Sequence, residues 1–173
     1  EWAIGAGGRV IVLQSRPLQQ VAANRAVRAA RPELQPRLSG GVCVSPGAAA
    51  GAVVRVERDS DALRFPSGAI LVVAHPLPRW AALLGRAAAV VSAEGGIAGH
   101  LATVARESGV PGLFGVGNLA ALAEGAEVTV DATGCAVYPG RIQELLDEAV
   151  RRQSVMVGSP VHSTLQAALE LIS

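Results

Sequence analysis

The chain has 173 residues, half of them hydrophobic, and its 15 basic residues against 14 acidic ones leave a net charge of +1, which excludes a disordered tail. No basic run interleaved with aromatics is present, as a nucleic-acid surface would need, and the longest uncharged stretch, Leu38 to Val54, is broken by Ser, Pro and Gly, which excludes a membrane span there. At roughly 100–150 residues per domain, the length fits one domain with attached linkers, its core built from Val, Leu, Ile and Ala because only 3% of residues are aromatic.

Trp2 to Ile4 and Val10 to Ser15 are short apolar runs joined by Gly5-Ala6-Gly7-Gly8, the pattern of a hairpin. Gln19 to Arg37 is rich in Ala and Arg and ends on Pro32 and Pro36, which predicts a helix running into a stiff linker. From Ser39 the texture changes to short β-branched runs. Strands are predicted at 42–44, 51–56, 69–73, 88–92, 113–116, 127–130 and 135–138, with helices at 59–63, 80–84, 100–108 and 119–124, the last capped by Asn118. The result is a mixed α/β domain with more strand than helix. Helices follow at 141–151 and, after Gly158-Ser159-Pro160, along a face of Leu165, Ala168, Leu169 and Ile172. The chain opens at Glu1 with no basic segment leading into an apolar one, so no secretion signal is read and a piece of a longer protein is expected.

Chemistry concentrates between Glu94 and Gly112. This stretch leaves a buried strand, crosses a loop with Gly95, Gly96 and Gly99, and enters a helix with Leu101, Val104, Ala105 and Ser108 on one face. Gly109 and Pro111 close that helix, so His100 falls in its first turn. The positive end of a helix disfavours a further positive charge and offers free amides to an anion. A neutral imidazole beside such an end suits attack on a phosphoryl group. On spacing alone, a surface or capping histidine fits the same pattern, and a glycine loop before a helix is a weak signal.

The other candidates are weaker. His75, in a turn before Pro76, and His162 have no carboxylate or cysteine at ligand spacing, so no zinc site is read. Cys43 and Cys135 stand isolated in runs that read as strands, with no redox motif or disulfide framework, which points to a reducing cytoplasm. All fifteen basic residues are arginine, which excludes Schiff-base and P-loop lysine chemistry within these residues.

Glu94-Gly95-Gly96, His100, Ala105-Arg106 and Gly109-Val110-Pro111 resemble the phosphohistidine motif of the PEP-utilising enzymes, GG-x-T-S-H-x-A-x-x-A-R followed by G-[IV]-P. The resemblance extends to Gly40 through Gly47 with Gly51 and Val53, to Pro66 through Val72, and to Gly125 through Asp131 with Gly134, covering Ser39 to Tyr138 in order. Within that family the pattern resembles the phosphoenolpyruvate synthase and pyruvate phosphate dikinase type.

The resemblance implies a three-layer β/β/α swivelling phosphohistidine domain with flanking linkers. The expected division is a terminal hairpin of an upstream ATP-grasp domain at 1–18, a helical linker at 19–38, the phosphohistidine domain at 39–140, and a helical linker at 141–173 toward a downstream acceptor domain. It implies that His100 takes a phosphoryl group from ATP, with magnesium, and passes it to pyruvate or another acceptor. Gly95, Gly96, Gly99, Thr103 and Arg106 would support the phosphate loop. By the same similarity Glu1 and Gln14 correspond to metal ligands and Arg16 to a phosphate contact of the nucleotide domain. No metal is expected in the isolated domain, and neither nucleic acid nor membrane as a partner. The family's Thr-Ser before the histidine is Ala98-Gly99 here. That departure keeps open a non-catalytic domain with a degenerate motif, and a rifampin phosphotransferase-like carrier is the alternative within the same chemistry. Arg106, six residues beyond His100, lies off the histidine's helix face and is expected as a structural partner more than a phosphate ligand. Thr103 lies one turn on, within reach of His100.

Overall fold

In the computed structural model the described residues are 2–5, 7–12 and 34–157. Glu1, Gln14 and Arg16, most of the 19–38 segment, His162 and the helix expected after Pro160 lie outside them. The chain divides into two units, Glu1–Arg31 and Pro32–Ser173. In the first, β1 (Trp2–Ile4) and β2 (Val10–Val12) form the expected antiparallel hairpin, Ala3 opposite Ile11.

The second unit is built on one eight-stranded sheet. Its strands are β3 (Leu38–Ser39), β4 (Val42–Ser45), β5 (Ala48–Arg55), β6 (Ile70–Val73), β7 (Ala89–Ser92), β8 (Gly112–Phe114), β9 (Glu127–Asp131) and β10 (Ala136–Pro139). They run in the order β3-β10-β9-β5-β6-β7-β8-β4. The eight-residue β5 belongs to two halves. Ala48 to Ala52 pairs antiparallel with β9, and Val53 to Arg55 pairs parallel with β6. Gly51 sits where the chain turns from one half to the other, and a Cβ there would lie 2.3 Å from the Gly68 carbonyl oxygen, so only glycine fits.

Side-chain alternation then separates three layers. Val53, Ile70, Val72, Ala89, Val91 and Leu113 point to one side and meet Val128, Val130 and Val137 of the antiparallel half. Leu71, Val73, Val90 and Phe114 point to the other side, where they meet Phe65, Trp80, Leu83, Leu84, Leu101, Ala102 and Ala105. Both faces of β6, β7 and β8 are therefore buried, which explains why these strands read as continuous apolar runs. The architecture is β/β/α, as the resemblance implied. The helical layer comprises α1 (Asp59–Leu63), a 3-10 turn (Pro78–Trp80) leading into α2 (Ala81–Leu84), and α3 (His100–Glu107). On the outer face of the antiparallel half, Leu145 of α4 (Gln143–Val157) packs with Ala136 and Tyr138.

Some expected details differ. The helix read at 119–124 is only a 3-10 turn, Leu119–Ala121, although Asn118 caps it as expected, its side chain accepting from the Ala120 amide at 2.8 Å. The Arg55 guanidinium takes the Leu119 and Leu122 carbonyls at 2.7 and 2.6 Å, and Leu122 is already extended, so the turn does not propagate. Cys135 is not in a strand. It occupies the turn before β10 with φ +52°, the one non-glycine residue with positive φ among those described.

Candidate functional site

The parallel pairing of β5, β6, β7 and β8 brings their C-terminal ends, Arg55, Val73, Ser92 and Phe114, to one edge of the sheet. Loops leaving such an edge are where open α/β sheets bind ligands. The Glu94–Gly99 loop leaves β7 at this edge and delivers the chain to α3, whose first residue is His100.

Each end of the loop is fixed. At the strand end, the Ala93 amide donates to the Val73 carbonyl at 3.0 Å and the Glu94 amide to the Ala74 carbonyl at 3.2 Å. Gly95 has φ +94°, and a Cβ there would stand 2.6 Å from Cγ of Pro76 and 3.4 Å from the Phe114 ring, so this glycine is imposed by both conformation and space. Gly96 is different: its φ lies outside the left-handed region, and a Cβ added there would meet no atom within 4 Å. At the helix end, the Gly99 amide donates to the Gly96 carbonyl at 3.3 Å, and Gly99 caps α3 in extended conformation with no side-chain cap.

Arg106 and Thr103 hold the loop to the helix. Arg106 Nη2 donates to the Ile97 carbonyl at 3.0 Å and to Thr103 Oγ1 at 3.2 Å, while its Nη1 donates to the Val44 carbonyl of β4 at 3.0 Å. Thr103 Oγ1 in turn donates to the Gly99 carbonyl at 3.3 Å. The guanidinium thus links the loop, α3 and β4. Ser45, buried beside it, donates to the Ala105 carbonyl at 3.3 Å.

His100 is exposed, while Leu101, Ala102 and Ala105 of the same helix are buried. With Gly99 as a cap that has no side chain, the amides of His100, Leu101 and Ala102 have no acceptor within the helix. A depression at this edge, about 680 Å³ and lined by Arg55, Ala74, Ala93, Gly117 and Asn118 among others, takes no wall from His100. The imidazole is thus exposed to solvent on the first residue of α3, beside amides that no side chain caps.

Sequence reasoning missed one pair. His75 Nδ1 lies 2.9 Å from Glu94 Oε2, so His75 does have a carboxylate partner. The two are nineteen residues apart, and no spacing rule connects them. Only the parallel register of β6 and β7 could have done so. Cys43 is half-buried in β4, and burial first, then nearby Cys135 and Asp131, push its thiol up to about 11.

Residues 65–134 match the model of the family described as "PEP-utilising enzyme, mobile domain". The chain carries the mobile domain of the PEP-utilising enzymes. It is 35% identical over 150 residues to a probable phosphoenolpyruvate synthase of Archaeoglobus fulgidus, covering 83% of this chain and 20% of that protein. It is 33% identical over 172 residues to the phosphoenolpyruvate synthase of Pyrococcus furiosus, covering 93% of this chain and 21% of that one. The chain thus spans about a fifth of the length of these relatives. A solution structure of Enzyme I is also similar, at 18% identity and TM-score 0.43, over 53% of this chain and 38% of that one. Among the described residues of the mobile domain, no three His, Cys, Asp or Glu side chains gather as a metal site requires, and no helix is long and apolar enough to cross a membrane.

Proposed function

We propose that this mobile domain is the phosphoryl carrier of a phosphoenolpyruvate synthase-like phosphotransferase, with His100 as the residue that carries the group. The observation that supports this most is the exposed imidazole on the first residue of a helix whose opening amides are uncapped. A phosphoryl group on that ring places its oxygens at the positive end of α3, where free amides and the helix dipole favour negative charge. A carrier must present the same atom to a donor and then to an acceptor, and an open surface permits both where an enclosed pocket would not.

In the proposed reaction a ring nitrogen of His100 attacks a phosphorus of ATP. The N–P bond forms, the bond from that phosphorus to the bridging oxygen of the departing nucleotide breaks, and that oxygen keeps the electron pair. In the second step the imidazole becomes the leaving group: an acceptor oxygen, that of pyruvate in the synthase reading, attacks the same phosphorus, the N–P bond breaks, and the ring nitrogen keeps the electron pair. Gly95, Gly96 and Gly99 give the backbone path to the ring, and Thr103 with Arg106 hold that path in place. ATP and magnesium would be bound in an upstream ATP-grasp domain, to which Glu1, Gln14 and Arg16 are assigned, and the acceptor in a downstream domain. The roles of segments 1–18, 19–38, 39–140 and 141–173 as domain remnant, linker, carrier and linker belong to this proposal. So does the cytoplasmic setting, which rests on the free thiols of Cys43 and Cys135. Tethering by such linkers raises the local concentration of the carrier at both stations.

The test is to express the longer protein containing this chain, incubate it with magnesium and ATP labelled at the β or γ phosphate, and look for acid-labile, alkali-stable label. Label that vanishes in His100→Ala supports the carrier. An unlabelled, folded native protein removes it and leaves the reading in which Ala98-Gly99, which offer no hydroxyl to the ring, mark a non-catalytic domain.

A further inference from the structure

His75 lies outside the motif that carries the family resemblance, yet the fold brings it to that motif. It follows β6 by two residues, and its partner Glu94 follows β7 by two. Between them the chain passes through the 3-10 turn, α2 and all of β7, so their contact at 2.9 Å is made by strand register and not by local sequence.

The contact also has backbone reinforcement. The Glu94 amide donates to the carbonyl of Ala74, the neighbour of His75. Pro76, on the other side of His75, occupies the space a Cβ on Gly95 would need. Both loops are therefore in contact at three successive residues, 74–76 against 94 and 95. The phosphohistidine loop is held at its helix end by Arg106 through the Ile97 carbonyl. Its side-chain tie at the strand end is Glu94 to His75.

We propose that the His75–Glu94 pair is a positioning element for phosphoryl transfer, fixing the strand end of the Glu94–Gly99 loop so that the His100 ring and the opening amides of α3 face an incoming phosphoryl group together. This rests on the reading of His100 as the phosphoryl acceptor. His75 acts through its Nδ1 hydrogen bond to the carboxylate, not through chemistry at Nε2. Both side chains are well exposed, 62% for His75 and 66% for Glu94, so substitution leaves the buried layers intact.

The two modes of action separate by substitution. Asparagine places an amide N–H where the histidine has Nδ1–H, but has nothing at Nε2. The experiment uses the 173-residue chain and phosphoramidate, a small donor that needs no nucleotide domain: its P–N bond breaks, ammonia leaves, and a new P–N bond forms to the imidazole. The rate of label on His100 is followed by mass spectrometry under alkaline conditions, as a function of donor concentration, with thermal midpoints confirming that each variant is folded. His75→Ala and Glu94→Ala are each expected to slow labelling by roughly two- to fivefold, the scale of one exposed charge-assisted contact. His75→Asn is expected to stay close to the native rate, and the double alanine variant to be no slower than either single one. A native rate in His75→Ala overturns the proposal, as does His75→Asn falling as far as His75→Ala, or single effects that multiply in the double variant. If the native chain takes no label at His100, the carrier reading itself fails, and the positioning role fails with it.

Discussion

The paired glycines of the Glu94–Gly99 loop are not equivalent, and the difference is measurable. In Gly95→Ala the new Cβ has to adopt φ near +94° and stands 2.6 Å from Pro76 Cγ, 3.4 Å from Phe114 Cδ2 and 3.5 Å from Pro76 Cδ. The left-handed conformation alone costs an alanine roughly 1–2 kcal/mol. The contact adds to this, because a proline ring is closed onto its own backbone and cannot swing away, and forced overpacking costs about 1–3 kcal/mol. Together Gly95→Ala is expected to lose about 2–5 kcal/mol, a large share of the roughly 5–15 kcal/mol that holds a domain folded. In Gly96→Ala neither penalty applies: φ is unremarkable and no atom lies within 4 Å. Loss of unfolded-state freedom then leaves Gly96→Ala within about 0.5 kcal/mol of the native chain or slightly more stable. Urea unfolding of both variants, followed by circular dichroism, gives the two midpoints side by side. Equal destabilisation of the two, or a Gly95→Ala midpoint indistinguishable from native, would refute the reasoning that strain and Pro76 impose the first glycine alone.

Other outcomes follow from contacts of the same kind. Arg106→Ala removes three hydrogen bonds that join Ile97, Thr103 and Val44, and is expected to cost about 2 kcal/mol in urea unfolding. Arg106→Lys keeps the charge but not the fork, so it should recover less than half of that loss. Thr129 is fully buried, donating through Oγ1 to the Gly140 carbonyl at 2.7 Å and accepting from the Ile142 amide at 2.9 Å, so Thr129→Val, equal in shape, should lose about 2–3 kcal/mol by leaving both partners unmade. The raised thiol of Cys43 is a stability statement as well: the folded state keeps its proton after the unfolded state has lost it. Its contribution is complete below the ordinary thiol range and is lost as pH rises to about 11, so thermal midpoints should fall over that window in the native chain and fall less in Cys43→Ala. Alkylation of Cys43 by iodoacetamide at about pH 8 should correspondingly be slow against an unfolded control.

Much of this fold is legible because strand and helix signals agree with tertiary demands. Asp59–Leu63 is predicted with its observed bounds, and Ile70–Val73 and Ala89–Ser92 announce themselves as unbroken apolar runs because both their faces are buried. The site is legible in outline for a related reason: Gly95 and Gly109 are required by left-handed backbone on either side of α3, and His100 is the exposed first residue between them. What escapes depends on partners distant in sequence. Two-residue β3 exists because β10 offers it backbone partners, Leu38 opposite Val137. Helix α4 starts at Gln143 and not at the expected 141, as the Ile142 amide is held by Thr129 Oγ1 thirteen residues earlier. The 119–124 helix is cut short by an arginine sixty-four residues away. His75 has no neighbouring carboxylate in sequence, and Glu94 reaches it only once β6 and β7 lie side by side.

The central claim concerns one nitrogen-bearing ring on an open helix start. The most direct measurement is to phosphorylate the longer protein with ATP and magnesium, digest it at alkaline pH, and locate the modification by electron-transfer fragmentation of the peptide containing Glu94 through Arg106. A mass increment of one phosphoryl group confined to His100 is the predicted result; an increment on His75 or elsewhere, or an unmodified His100 in an enzyme that still turns over, would contradict it.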